Sequence, residues 1–161
     1  MSRAFLLLGS NLGDRQSALD EARNQISRTA GKIITISSVF QTAAWGDKPQ
    51  PEFYNQALEI QPFANPLETL HALLDIERSM GRERIEKWGT RLIDIDILLW
   101  DDQIIRQADL SVPHPYLHVR RFALTPLAEI APDVIHPAFN KTIAELLRDC
   151  SDALPVNQLK L

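Results

Sequence analysis

Apolar residues fall along this chain in two rhythms, and the changes of rhythm mark out its elements. Residues 4–8 (Ala-Phe-Leu-Leu-Leu) form a short apolar run closed by Gly9, the pattern of a buried strand. Over residues 14–30 the spacing changes to four, with Ala18, Ala22 and Ile26 on one face. That spacing predicts a helix, with Gly31 as the residue following its C-cap. Residues 32–42, rich in Ile, Val, Ser and Thr, predict a strand with Ile34, Ile36, Ser38 and Phe40 on one face. Residues 54–61 predict another, Leu58 and Ile60 pointing one way and Asn55, Ala57 and Glu59 the other.

The best-marked helix opens with Asn65 as N-cap, Pro66 at the first helical position and Glu68 at the third. It runs to Met80, stops at Gly81, and takes its apolar face from Leu67, Leu70, Leu73 and Leu74. Residues 92–100 predict a strand with Ile93, Ile95 and Ile97 on one side. Ile104 and Ile105 read as its short partner across a turn at 101–103. A short helix is expected within residues 120–130, entered at Thr125-Pro126, and Thr142 with Glu145 forms a capping box opening a last helix toward Asp149. Helices and strands mix without a steady alternation, so the expected fold class is α+β, layered, with a largely antiparallel sheet.

Composition narrows the function classes. The 161 residues fit one domain, 1–161, large enough to bury a core without disulfide or metal staples. Lys and Arg number 17 against 21 Asp and Glu, a net charge of −4. That balance argues against nucleic acid or an anionic membrane as a partner of the whole surface. Cys150 is the single cysteine, so no internal disulfide is possible, which fits a reducing cytoplasm. No apolar stretch approaches the ~20 residues that span a bilayer, and the opening run is too short for a secretion signal. A cytoplasmic protein, monomeric by default, is expected.

The candidate chemistry centres on Asp94-Ile95-Asp96, two carboxylates inside an otherwise apolar strand. A period of two puts both on one face, where they repel unless a cation intervenes. Oxygen donors on a rigid strand suit Mg²⁺, which takes one or two protein carboxylates and completes its shell with phosphate and water. Just before them, residues 81–91 carry Arg82, Arg84, Lys87 and Arg91, with glycines at 81 and 89. Arginine forks match phosphate oxygens, so cations and carboxylates converge as phosphoryl transfer requires. Solvated aspartates and a surface loop of Arg–Glu pairs are the structural reading of the same residues. Glu77 shares the apolar side of its helix, either reaching toward water or flanking a ligand pocket. Ser111-Val112-Pro113-His114-Pro115 is a proline-fixed turn that aims His114. Residues 9–14 (Gly-Ser-Asn-Leu-Gly-Asp) lack the ending of a phosphate loop and read mainly as a tight turn with a helix cap. Phe53 and Phe122 read as core or as ligand clamp.

Taken together, residues 87–98 (Lys-Trp-Gly-Thr-Arg-Leu-Ile-Asp-Ile-Asp-Ile-Leu) resemble the signature of the 6-hydroxymethyl-7,8-dihydropterin pyrophosphokinases. The order of the other pieces is similar too: Gly9 to Asp14, Thr42 with Trp45-Gly46, Phe53 with Asn55, Gly81-Arg82, the Ser111–Pro115 turn and residues 126–132. The resemblance implies a ferredoxin-like core in a three-layer α/β/α arrangement. It implies transfer of pyrophosphate from ATP to the pterin hydroxymethyl group with release of AMP, in folate biosynthesis. It implies that Asp94 and Asp96 hold two Mg²⁺ ions, and that Arg82, Arg84, Trp88 and Arg91 belong to a catalytic loop. Phe53 and Phe122 would sandwich the pterin, with Thr42, Asn55 and the backbone near Ala43 and Trp45 on its polar edge. Leu70, Glu77, Ile97, Ser111, His114 and Arg120 would line the nucleotide site. A nucleotidyltransferase is disfavoured because Ser10 and Asp94 lie 84 residues apart (94 − 10). An RNA-recognition module is disfavoured by the acidic charge and the lack of paired aromatics on one central strand.

Overall fold

The computed structural model describes residues 1–43, 51–81 and 92–160. The expectations on Trp45, Arg82, Arg84, Trp88 and Arg91 lie outside the described residues. No helix among those described is long and apolar enough to cross a membrane.

The order is β1 (Ala4–Ser10), α1 (Arg15–Thr29), β2 (Gly31–Ile36), β3 (Phe40–Thr42), β4 (Phe53–Pro62), α2 (Pro66–Gly81) and β5 (Asp94–Trp100). Two short strands, β6 (Ile105–Arg106) and β7 (Ser111–Val112), precede a single 3₁₀ turn (Leu117–Val119) and α3 (Arg121–Ile130). The hairpin β8 (Ile135–His136) and β9 (Lys141–Thr142), then α4 (Ile143–Asp149) and β10 (Val156–Gln158), complete the chain. The main sheet runs β10-β3-β4-β1-β5, and β2 pairs with β4 beyond β3; every pairing is antiparallel. Counting β2 and β3 as one interrupted strand, this is the β-α-β-β-α-β, ferredoxin-like arrangement.

β1 is an apolar run because the sheet is covered on both faces. Its Ala4, Leu6 and Leu8 point into a core with Leu19, Ala22 and Ile26 of α1 and Leu73 and Ile76 of α2. Phe5 and Leu7 point into a second core with Ala123, Leu124 and Leu127 of α3 and Ile143 and Leu146 of α4. The expected three-layer α/β/α stack is therefore present. Its most useful consequence is in β5, where Ile95 and Ile97 join the first core and Asp94 and Asp96 open toward the α3 side.

Several local expectations are corrected. The strand expected over residues 32–42 is two strands, and a bulge between Ile33 and Thr35 shifts its alternation. Ile34 and Ile36 consequently share no buried face and are 48% and 47% exposed. Gly31 does follow the C-cap of α1, Ala30, as expected, and opens β2 directly; a Cβ there would sit 2.7 Å from the Gln61 carbonyl. The buried stripe of α2 is Thr69, Leu73, Ile76 and Glu77, one position round from the expected face, with Leu67 exposed. Asn65 does cap it, accepting the Glu68 N–H at 2.8 Å. Ile105 pairs with Val112 of β7, not with β5. α3 starts at Arg121, ahead of Thr125-Pro126, and Pro126 lies inside it. The reason is a distant cap: Asp152 Oδ2 accepts the Arg121 N–H at 3.0 Å, while the Arg121 guanidinium donates to the Asp152 and Cys150 carbonyls.

Candidate active site

Side chains opposite one another in an antiparallel ladder share a face. The register places Gly9 between Asn55 and Asp94, Leu7 opposite Asp96, and Thr42 opposite Phe53. All of these lie on the α3 side, and the start of α3 closes over them. The result is a cavity of about 220 Å³ lined by Leu7, Gly9, Thr42, Ala43, Phe53, Asn55, Asp94, Asp96, Arg120 and Phe122.

One end of it is flat and polar-edged. Phe53 and Phe122 come from different elements yet line the same space. Asn55 and Thr42 are buried, and Asn55 Nδ2 donates to Thr42 Oγ1 at 2.8 Å, which fixes how the amide faces the cavity. Gly9 makes room for this pair, since a Cβ there would lie 3.0 Å from Asn55 Oδ1 and 3.6 Å from Phe53. A planar heterocycle with donors and acceptors along an edge matches such a slot.

The other end is charged. Asp94 and Asp96 stand half-buried on one face of β5, and Arg120 enters from the start of α3. The Arg120 guanidinium is 4.8 Å from the Tyr116 ring centroid and 5.5 Å from that of Phe122, so it is held by ring faces. No group of three or more His, Cys or carboxylate side chains among the described residues forms a metal site. Two carboxylates side by side on a strand suit a hard divalent ion that completes its shell with phosphate oxygens and water.

The residues expected to face a nucleotide are spread more widely. Arg120 alone of that group lines this cavity. Ile97 and Leu70 pack with the first core, on the opposite face of the sheet. Glu77 lies at the outer edge of β5, buried, with Oε2 accepting the Ile95 N–H at 2.7 Å. It thereby holds the backbone midway between the two aspartates, an edge donor that no further strand among the described residues satisfies. Ser111 and His114 line a separate cavity beyond β5. The His114 N–H donates to the Leu98 carbonyl and its Nδ1 accepts the Tyr116 N–H, so the ring is aimed as the prolines suggest. Burial lowers the His114 pKa; Asp96 opposes that shift and Arg120 adds to it.

Leu7 and Gly9 were missed as lining residues. The signal for Gly9 was present: a glycine ending an apolar strand marks a close approach of another group. Asp14, by contrast, caps α1 as expected, accepting the Ser17 N–H, and Gly13 adopts φ +60° in the turn before it.

Residues 5–132 match the family model of 7,8-dihydro-6-hydroxymethylpterin-pyrophosphokinase. The chain belongs to this family. Among similar proteins is the 2-amino-4-hydroxy-6-hydroxymethyldihydropteridine pyrophosphokinase of Aquifex aeolicus, 42% identical over 145 residues and covering 90% of both chains. The Synechocystis pyrophosphokinase of the same name is 40% identical, covering 95% of this chain and 80% of its own. A crystal structure of Plasmodium falciparum HPPK-DHPS superposes with a TM-score of 0.73 at 19% identity. It covers 91% of this chain, which spans 45% of that longer one, and the likeness there is one of fold. The pyrophosphokinase match covers β1 through α3, which contain every described residue lining the cavity.

Proposed function

We propose that this cavity transfers pyrophosphate from ATP to the hydroxymethyl group of 6-hydroxymethyl-7,8-dihydropterin, releasing AMP, as a step of folate biosynthesis. The observation that carries the reading is the joining of an aromatic, polar-edged slot to two strand-borne carboxylates in one cavity of a chain from this family.

In this reading Phe53 and Phe122 stack on the two faces of the pterin. Asn55 and Thr42, with the backbone at Ala43 and at Trp45 (outside the described residues), read its polar edge. Asp94 and Asp96 would hold two Mg²⁺ ions, which would supply charge neutralisation for phosphate and a lowered pKa for a nearby hydroxyl. Glu77 fixes the strand between those two carboxylates. Arg120 faces the phosphates from the opposite wall. Arg82, Arg84, Trp88 and Arg91 fall between α2 and β5, a connection that leads directly into Asp94; their proposed part is to bind phosphate oxygens and exclude water. Leu70, Ile97, Ser111 and His114 are assigned to the adenosine and adjoining phosphate. The protein is proposed to act as a monomer in the cytoplasm, a compartment in which the buried free thiol of Cys150 would stay reduced.

Product analysis tests the reading. ATP labelled on its γ-phosphate, with Mg²⁺ and the reduced pterin, is expected to yield unlabelled AMP and a labelled pterin. Formation of ADP, or label retained on released pyrophosphate, would overturn it.

A further inference from the structure

A second cavity, of about 460 Å³, is lined by the Ser111–Pro115 turn among others and shares no lining residue with the aspartate cavity. It is walled by the β6–β7 hairpin, the 3₁₀ turn and the loop of the β8–β9 hairpin. Its size falls within the range of small-molecule sites.

Its chemistry is one-sided. Arg106, His114, His118 and His136 line it and no carboxylate does, in a chain whose acidic residues outnumber its basic ones. Arg106 forms no ion pair among the described residues. His136 is 2% exposed, and its Nδ1 accepts the Ala138 N–H at 3.2 Å. The ring, neutral at pH 7, edges the cavity. Phe139 supplies the remaining feature: its ring is flanked by those of His118 and His136, each with centroids 4.6 Å away, yet is 45% exposed. A braced ring open on one side is a stacking surface.

We propose that this cavity binds a small aromatic carboxylate, its ring on Phe139 and its carboxylate held by the Arg106 fork. A planar monoanion matches the charge present. Burial holds His136 near a pKa of about 4, so it is neutral at pH 7 and Arg106 is the permanent cation. A guanidinium fork also matches a carboxylate in shape. The cavity shares Ser111 and His114 with the nucleotide site proposed above, whereas Arg106, His136 and Phe139 have no part in that reading.

The test is a titration of the full chain with 2-naphthoate, followed by amide ¹H–¹⁵N shifts, with 2-naphthol and inorganic phosphate as parallel probes. Saturable naphthoate binding is expected, with the largest shifts at residues 105–106 and 136–139. Arg106→Gln and Phe139→Ala should each weaken it by about tenfold, the size expected from losing a charged hydrogen bond or a stacking partner. Arg106→Lys, which keeps the charge and loses the fork, should fall between. AMP production from ATP and the pterin should be unchanged in all three. The inference is overturned by any of four results: no saturation, equal binding of 2-naphthol or phosphate, insensitivity to the variants, or displacement by ATP.

Discussion

At the scale of single residues, Gly9, Asn55, Glu77 and Asp96 do different work within one small region. Gly9 gives the Asn55 amide its place, so Gly9→Ala should force the amide away from its Thr42 partner. A rise in pterin KM of about tenfold is expected from one disturbed hydrogen bond, with the ATP KM unchanged in steady-state kinetics. An equal rise in both constants would argue against a slot specific to the heterocycle. Asp96→Ala should lower kcat by about two to three orders of magnitude, the scale of losing one fixed electrostatic partner, while leaving the thermal midpoint near wild type. Glu77→Ala should do the opposite first. It strands the Ile95 N–H in a buried place and should cost about 1–3 kcal/mol in urea unfolding, whereas Glu77→Gln keeps an acceptor and most of the stability. The carboxylate pair was legible in the sequence because a strand's period of two is enough to put Asp94 and Asp96 together. The acceptor role of Glu77 was not, because its partner is a backbone N–H on another element.

Among elements, the caps divide by the range of their contacts. Those at Asp14, Asn65 and Thr142 act within three residues and were readable from local spacing. The cap of α3 comes from Asp152, 31 residues beyond Arg121, and local rules misplaced that helix accordingly. Asp152→Ala should lower stability by about 1–2 kcal/mol, within the range for a lost helix cap, as read by chemical unfolding. It should also loosen Arg120 and Phe122, which are positioned by the same turn; a raised pterin KM would report that. The β8–β9 hairpin carries a pH effect of its own. His136 is buried and held near a pKa of about 4, with His118 adding to the shift, whereas in the unfolded chain it titrates near 6.5. Its neutral form is the folded one, so this stability is fully present above pH 6.5. It is lost as the pH falls from there through about 4. Unfolding free energies at pH 7.5 and 4.5 should therefore differ by less in His136→Gln than in wild type, by on the order of 1–3 kcal/mol.

For the molecule as a whole, the antiparallel β-α-β-β-α-β sheet puts its ligand-facing residues on one side because the two faces are unequally covered. α1 and α2 fill their face with apolar contacts. α3 and α4 cover the other over β1 and the inner part of β5, and the cavity remains where the start of α3 meets the ends of β1, β4 and β5. The sequence by itself determined the α+β class, most helix limits and the side-sharing of Asp94 and Asp96. These follow from residue periodicity and from caps that close within a few residues. It also showed that cations gather just ahead of those aspartates, which net charge alone conceals. Only the tertiary structure decided that Phe53 and Phe122, 69 residues apart (122 − 53), line one slot, and that Gly9 makes space for Asn55. It also decided that Ile34 and Ile36 share no buried face, since a bulge depends on pairing with β4. Local spacing sets which way a side chain leaves its own element. Which side chains meet is set by strand register and by helices laid across it, and neither exists until the chain has folded.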